Sequence, residues 1–270
     1  MQKRLLLAQD LSVVGDLSLT VALPLLEVQG VKTLSLPTSL LSTQSEGFGE
    51  PCILPCYPWI EQTLAHLQKL DLTLGGALLG YLDDLKTGQA LLNFLQEQSL
   101  SLTVIDPVFA DEGKFYPNLG PEHLALQKEL LQVADYATPN VTEAQFLTGI
   151  RLSDEPSKAE FCALLEQTQR LVKATGQVVI TGLSFGAEKG CLWLEEGTLK
   201  QCSYPKLAGH FYGSGDVFAA LLTGALWQGA SFSQAIKKAT KETYEALCET
   251  AKNYSKRQEG IDISRLLQKL

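Results

Sequence analysis

The sequence predicts an α/β fold: one mostly parallel central sheet with helices on both faces. Three observations predict it. Short apolar runs alternate with amphipathic helical stretches along nearly the whole chain. The stretches between successive runs are long enough for right-handed helical crossovers, and the only hairpin signal is late, around Gly197. Hydrophobic residues make up 45% of the 270, enough to cover a sheet on both faces. No linker or repeat divides the chain, so residues 1–270 read as one domain, with ligands expected at the carboxyl ends of its strands.

The elements follow in order. Residues 4–8 form a buried first strand, and 16–29 a helix with Leu17, Val21, Leu25 and Val28 on one face. Pro24 removes one backbone bond inside that stretch, so a kink or a late start is expected. Gly30 ends the helix, and 31–36 is the second strand. Residues 37–58 are polar and rich in Ser, Thr and Pro, and read as a long loop of the functional or disordered kind. A helix over 59–70 and a strand over 72–79 come next. Asp83 caps a helix reaching about residue 98. A strand over 102–105, a helix over 121–132 and a short strand over 135–138 follow. Thr142 with Gln145 makes a capping box for a short helix ending at Gly149. A helix over 158–174 and strands over 178–181, 190–194 and 199–204 precede three closing helices, over 214–228, 231–253 and 263–270.

Composition removes several classes of function. The formal net charge is −8 and the longest basic run is Lys256-Arg257, which argues against a nucleic-acid surface. The apolar run after Lys3 and Arg4 stops at Gln9, too short for a secretory signal or a membrane span, so a cytoplasmic protein is expected. Six irregularly spaced cysteines read as reduced thiols. Cys52 and Cys56 lack the second Cys/His pair of a zinc site. An acidic protein that binds anionic phosphates must do so with backbone donors, a metal or a few placed cations.

The most informative stretch is Gly213-Ser214-Gly215-Asp216, leading into an Ala- and Leu-rich helix. Two glycines allow a tight turn whose N–H groups converge at a helix N-terminus, where partial positive charge gathers. Read alone, Asp216 is equally a first-turn cap carboxylate. Asp106-Pro107-Val108 follows the strand ending at Ile105, with Asp111, Gly113 and Tyr116 just beyond. Thr138-Pro139-Asn140-Val141-Thr142-Glu143 sits at another strand end. Asn140 and Glu143 there are in place to reach a phosphate or a hydrated Mg²⁺, or serve only as turn and first-turn residues. Thr181-Gly182 closes a third strand where a nucleotide phosphate fits. His66, His123 and His210 lie far apart and read as surface or packed residues, with His210 nearest the glycine turn. Tyr57, Trp59 and Phe48 read as packing or as a cover over the substrate, and Lys237, Lys238 and Lys241 as a solvated helix face ahead of a nucleotide clamp.

Asp106-Pro107-Val108, Asn140-x-x-Glu143 and Gly213-Ser214-Gly215-Asp216 together resemble the ribokinase superfamily. The segments 9–15 and 19–24, Leu41-Ser42-Thr43-Gln44 and Gly80-Tyr81-Leu82 resemble its pyridoxal/pyridoxamine kinase group, and the similarity runs nearly end to end. The resemblance implies a ribokinase-like three-layer fold and an ATP- and Mg²⁺-dependent transfer to the hydroxymethyl group of a B6 vitamer. It allows for a monovalent cation (K⁺) and suggests a homodimer. It gives Asp216 the role of base and the amides of Gly213, Ser214, Gly215 and Asp216 that of anion hole. Asp106 and Glu143 would hold Mg²⁺ through water, Asn140 would lie near the phosphates, and Thr181 would line the ATP side. Ser12, Thr43 and Tyr81 would surround the pyridine ring. Two departures stand out: Ser214 where Thr is usual, and Asp83-Asp84 where Gly-Ser is more common. The rival expectations are a hydroxymethylpyrimidine kinase and a non-catalytic B6-binding protein on the same scaffold.

Overall fold

Four leucine-rich residues set the layering. In the computed structural model, which describes residues 2–45, 47–252 and 258–270, Leu5, Leu6, Leu7 and Ala8 are all fully buried. Successive strand side chains point to opposite faces. Leu5 and Leu7 therefore join one apolar core, and Leu6 and Ala8 another.

The strands are β1 (Arg4–Val14), β2 (Thr33–Thr43), β3 (Ile53–Pro55), β4 (Leu74–Leu79), β5 (Leu102–Ile105), β6 (Ala110–Asp111), β7 (Lys114–Phe115), β8 (Tyr136–Ala137), β9 (Gln177–Phe185), β10 (Glu188–Glu195) and β11 (Thr198–Pro205). The helices are α1 (Leu19–Val28), α2 (Tyr57–Leu67), α3 (Leu85–Gln96), α4 (Pro121–Leu131), α5 (Val141–Thr148), α6 (Lys158–Gln169), α7 (Ser214–Trp227), α8 (Phe232–Ala251) and α9 (Ser264–Lys269). The first core packs α1, α7, α8 and α9 against the sheet, and the second packs α2 to α6. The three-layer α/β expectation holds.

The main sheet has the order β11-β10-β9-β8-β5-β4-β1-β2-β3. Its six central strands, β9 to β2 in that order, pair in parallel. The edge strands β3, β10 and β11 pair antiparallel. From β1 the chain goes first to β2 on one side and later to β4 on the other. Such a reversal opens a crevice at the carboxyl ends of β1 and β4.

Several expected boundaries move. β1 continues past the apolar run to Val14, with a register shift between Gln9 and Leu11 that absorbs Pro37 of β2. α1 starts late, at Leu19, and runs through Pro24. The expected loop over 37–58 holds the rest of β2 and all of β3, because main-chain pairing of Ser39–Leu41 with Ile53–Pro55 overrides the polar composition. Asp84, rather than Asp83, caps α3, accepting from the amides of Lys86 and Thr87. The capping box of α5 is Asn140 with Glu143, two residues before the expected pair. The helix from Lys158 stops at Gln169 rather than 174, where Gln169 turns to bond Gly176 and Val178. β9 runs on to Phe185 to make a second hairpin with β10. The hairpin β6–β7 was not foreseen either. The closing helix expected over 231–253 begins as read, and residue 253 lies outside the described residues.

Candidate active site

One cavity of about 260 Å³ runs along the carboxyl ends of β1, β4, β5, β8 and β9. Its centre is the start of α7. Gly213 holds φ 81°, and a Cβ there would sit 2.9 Å from Leu17 Cβ and 3.1 Å from the Asp16 carbonyl oxygen. Only glycine satisfies both the left-handed conformation and the close approach. No side chain caps α7, and Gly213, Ser214, Gly215 and Asp216 all face the cavity. The first amides of the helix are thus left to whatever enters.

Asp216 is buried on this wall. Its Oδ2 accepts from the Ser18 amide at 2.9 Å, and its Oδ1 has no hydrogen-bond partner. Burial pushes its pKa up to about 8; the Ser18 bond lowers it, and the charges of Asp106 and Asp10 add to the rise. Ser18 itself carries φ 47° and ψ −127°, a conformation rare for anything but glycine. It holds Asp216 through its amide, and its side chain lies beside Asp10.

Asp106 follows β5 directly. Its Oδ1 accepts from the Thr138 hydroxyl at 2.9 Å, and its Oδ2 lies 3.8 Å from where a Cβ on Gly215 would be. Burial raises its pKa to about 7, the Thr138 bond opposing. Glu143 is more deeply buried, with Oε1 accepting from the Phe109 amide at 3.0 Å and Oε2 from the Asn140 amide at 2.8 Å. Burial first, and the Asp106 charge second, hold its pKa well above the usual carboxylate range. Asn140 lines the cavity, yet its side chain is engaged: Oδ1 accepts from the Glu143 amide and Nδ2 donates to the Ala110 carbonyl at 2.7 Å. It therefore ties the β6–β7 hairpin to α5, as does Thr142, whose hydroxyl accepts from the Gly113 amide.

Of the expected ring-binding residues, Tyr81 lines the cavity, whereas Ser12 and Thr43 do not. Ser12 sits one strand repeat beyond Asp10 and donates to Asp10 Oδ2 at 3.4 Å. The cavity residue of that segment is Asp10 itself. Thr43 donates to the Gln44 carbonyl, and Gln44 is the lining residue there. Thr181 lines the cavity, bridged to Asn140 from within β9 rather than at its end.

Sequence reasoning missed Asp10, Ser18 and the far end of the cavity. Asp10 had a signal: a carboxylate two residues past an apolar run that must be a buried strand. Ser18 had none, because its backbone strain is invisible in composition. The far end is built by Lys189 and Cys191 of β10, Lys206 after β11, and Thr240, Thr243 and Leu247 of α8. The two lysines bring placed positive charge to this end of the cavity. His210 lies on the wall with Nδ1 3.6 Å from Glu112 Oε1, an exposed pair worth little energetically. His123 is packed, accepting from the Gly120 amide and contacting the Asp83 carbonyl. Phe48 and Trp59 are exposed, against the expectation that they pack. All six cysteines are free.

Fold and site together define a ribokinase-like protein. The chain belongs to the phosphomethylpyrimidine kinase family, whose model matches residues 26–260, and within it to the pyridoxal kinase group. Pyridoxal kinase from Lactobacillus plantarum is 35% identical and superposes with a TM-score of 0.93 over 99% of this chain and 96% of that one. Pyridoxal kinase from Arabidopsis thaliana is 34% identical over 158 residues, covering 54% of this chain and 48% of the relative. Hydroxymethylpyrimidine/phosphomethylpyrimidine kinase from Haemophilus influenzae is 29% identical over 63% of this chain and 64% of its own. The matched stretch thus spans about half to two thirds of these two curated relatives. Among the described residues, no helix is long and apolar enough to cross a membrane.

Proposed function

We propose that residues 1–270 act as one cytoplasmic kinase domain that moves the γ-phosphoryl group of ATP onto the 5′-hydroxymethyl group of pyridoxal, pyridoxamine or pyridoxine, with Asp216 as base. The observation that carries this is the Asp216 carboxylate. One oxygen is fixed by the Ser18 amide, and the other is buried on the cavity wall without a partner, at the start of an uncapped helix. An acceptor hydroxyl placed there donates to Oδ1, while the amides of Ser214, Gly215 and Asp216 face the phosphoryl group. Phosphoryl transfer needs chiefly positioning and charge stabilisation, which this arrangement supplies. Thr181, Lys189 and Lys206 line the side where a triphosphate would lie.

Mg²⁺ fits Asp106 better than it fits a protein cage. Among the described residues, no group of three or more His, Cys, Asp or Glu is arranged to hold a metal ion. Asp106 Oδ2 faces the glycine turn, and the raised proton affinity of Asp106 and Glu143 marks a pair short of positive charge. A hydrated Mg²⁺ arriving with the phosphates suits that pair and would neutralise charge on them. Glu143, both of whose oxygens accept backbone amides, would act through water.

A second reading is phosphorylation of hydroxymethylpyrimidine, supported by the Haemophilus influenzae relative. ADP release with Mg-ATP across pyridoxal, pyridoxamine, pyridoxine and hydroxymethylpyrimidine tests both. Turnover of a B6 vitamer is expected; a pyrimidine preference selects the second reading, and binding without turnover leaves a vitamin-binding protein. Repeating the assay with and without K⁺ settles the monovalent requirement. The homodimer is supported by Val13, Leu40 and Leu54, exposed apolar side chains on adjoining strands of the β3 edge. Sedimentation at one chain mass would remove it.

A further inference from the structure

The acceptor end of the cavity concentrates buried polar atoms that nothing in the protein satisfies. Asp10 Oδ1 and the Tyr81 hydroxyl both belong to buried, cavity-lining residues and have no hydrogen-bond partner. Asp83 Oδ1, just behind Tyr81, has none either, and neither carboxylate forms an ion pair among the described residues. Burial raises the pKa of Asp10 to about 6, with the Asp83 charge adding and the Ser18 and Ser12 side chains opposing; burial raises that of Asp83 also, against the Ser39 side chain. Such groups gain most from a ligand that brings N–H donors and positive charge.

Position says where on the ligand that group must be. Ser18 gives its amide to Asp216 Oδ2, and its side chain lies beside Asp10. The two carboxylates therefore flank one residue. A ring whose hydroxymethyl oxygen meets Asp216 presents the substituent on the neighbouring ring carbon to Asp10.

We infer that Asp10 and the Tyr81 hydroxyl, backed by Asp83, form a subsite for an amino or ammonium group on the acceptor's ring carbon next to the hydroxymethyl carbon. The inference rests on the kinase reading above and narrows its acceptors. Pyridoxamine carries an aminomethyl cation there and hydroxymethylpyrimidine an amino group. Pyridoxine has only a neutral hydroxyl, and the pyridoxal aldehyde has no donor to offer. One device thus suits the amine-bearing acceptor of either chemistry, and two carboxylates, Asp10 and Asp83, create it.

Calorimetric titration of the full chain with pyridoxamine, hydroxymethylpyrimidine and pyridoxine reads the subsite without turnover. At least one amine-bearing ligand is expected to bind about tenfold or more tightly than pyridoxine. Which one identifies the source. Asp10→Asn should bring that ratio to within about threefold, and Asp83→Asn should shrink it part of the way; the ratio is taken within each variant, so a general loss of affinity cancels. Asp83→Asn also keeps the test open should Asp10→Asn not fold. Equal affinities in the wild type, or a ratio unmoved in both variants, overturn the inference and leave the kinase reading intact. Failure of every acceptor to bind or turn over overturns the kinase reading itself.

Discussion

Helices α6, α7 and α8 begin in two different ways. α6 and α8 start on Ser157 and Ser231, each of which accepts from the amide three residues on, while Glu160 and Gln234 reach back to the cap amide. These are closed ends, with the donors satisfied by the chain. α7 starts on Gly213, which has no side chain to give, and its first turn carries Asp216, a cavity-lining residue whose Oδ1 is buried without a partner. The closed ends hold the fold together. The open end is less well satisfied in isolation, and this is what leaves its donors for a ligand.

Substitutions at the two kinds of end should separate accordingly. The largest effect is expected at Asp216: Asp216→Asn keeps the shape but removes the proposed base, and should lower kcat by about 10²–10⁴-fold in steady-state assays. Unchanged turnover would equate the two kinds of helix start. Gly213→Ala forces a Cβ into φ 81° and against Leu17, and should cost about 2–4 kcal/mol in denaturant unfolding along with most of the activity. A neutral result would mean that the turn can rearrange.

A smaller effect comes from the charge gathered around the open end. Asp10 is raised from its ordinary 3.8 to about 6, so the native state holds its proton over that interval while the unfolded chain has released it. Its contribution to stability is present below about pH 4 and lost as pH rises through 6. Asp10→Asn should therefore be close to neutral near pH 4 and stabilising by about 3 kcal/mol near pH 7.5, read as the difference in Tm across pH. A pH-independent difference would contradict the burial that raises this group. The smallest effect is at the closed end: Ser231→Ala should cost about 1 kcal/mol of stability and leave kcat unchanged.

Legibility in the sequence divides along similar lines. The glycine turn, Asp106 and the segment from Thr138 to Glu143 were readable because local rules place them: glycines turn, and residues after apolar runs land at strand ends. The three-layer fold was readable from the same alternation. Sequence favours Ser12 over Asp10, two residues earlier, because the extra β2 residue opposite Asp10 and the extension of β1 depend on pairing between the two strands. Ser18 depends on tertiary strain alone. The cavity lysines and the threonines of α8 come from a hairpin and a helix remote in sequence, and no local pattern links them. The capping box at Asn140 was visible as Asn-x-x-Glu but was read as ligand chemistry first. The geometry shows Asn140 in both bonds of a capping box, its Oδ1 accepting from the Glu143 amide and its own amide donating to Glu143 Oε2.

Single-turnover phosphoryl transfer from Mg-ATP to a saturating acceptor, compared between wild type and Asp216→Asn with nucleotide affinity measured alongside, reaches the centre of the account. A proton-accepting carboxylate at an open helix end predicts that the transfer rate collapses in the variant while ATP still binds. Transfer at the wild-type rate with Asp216 replaced would contradict it.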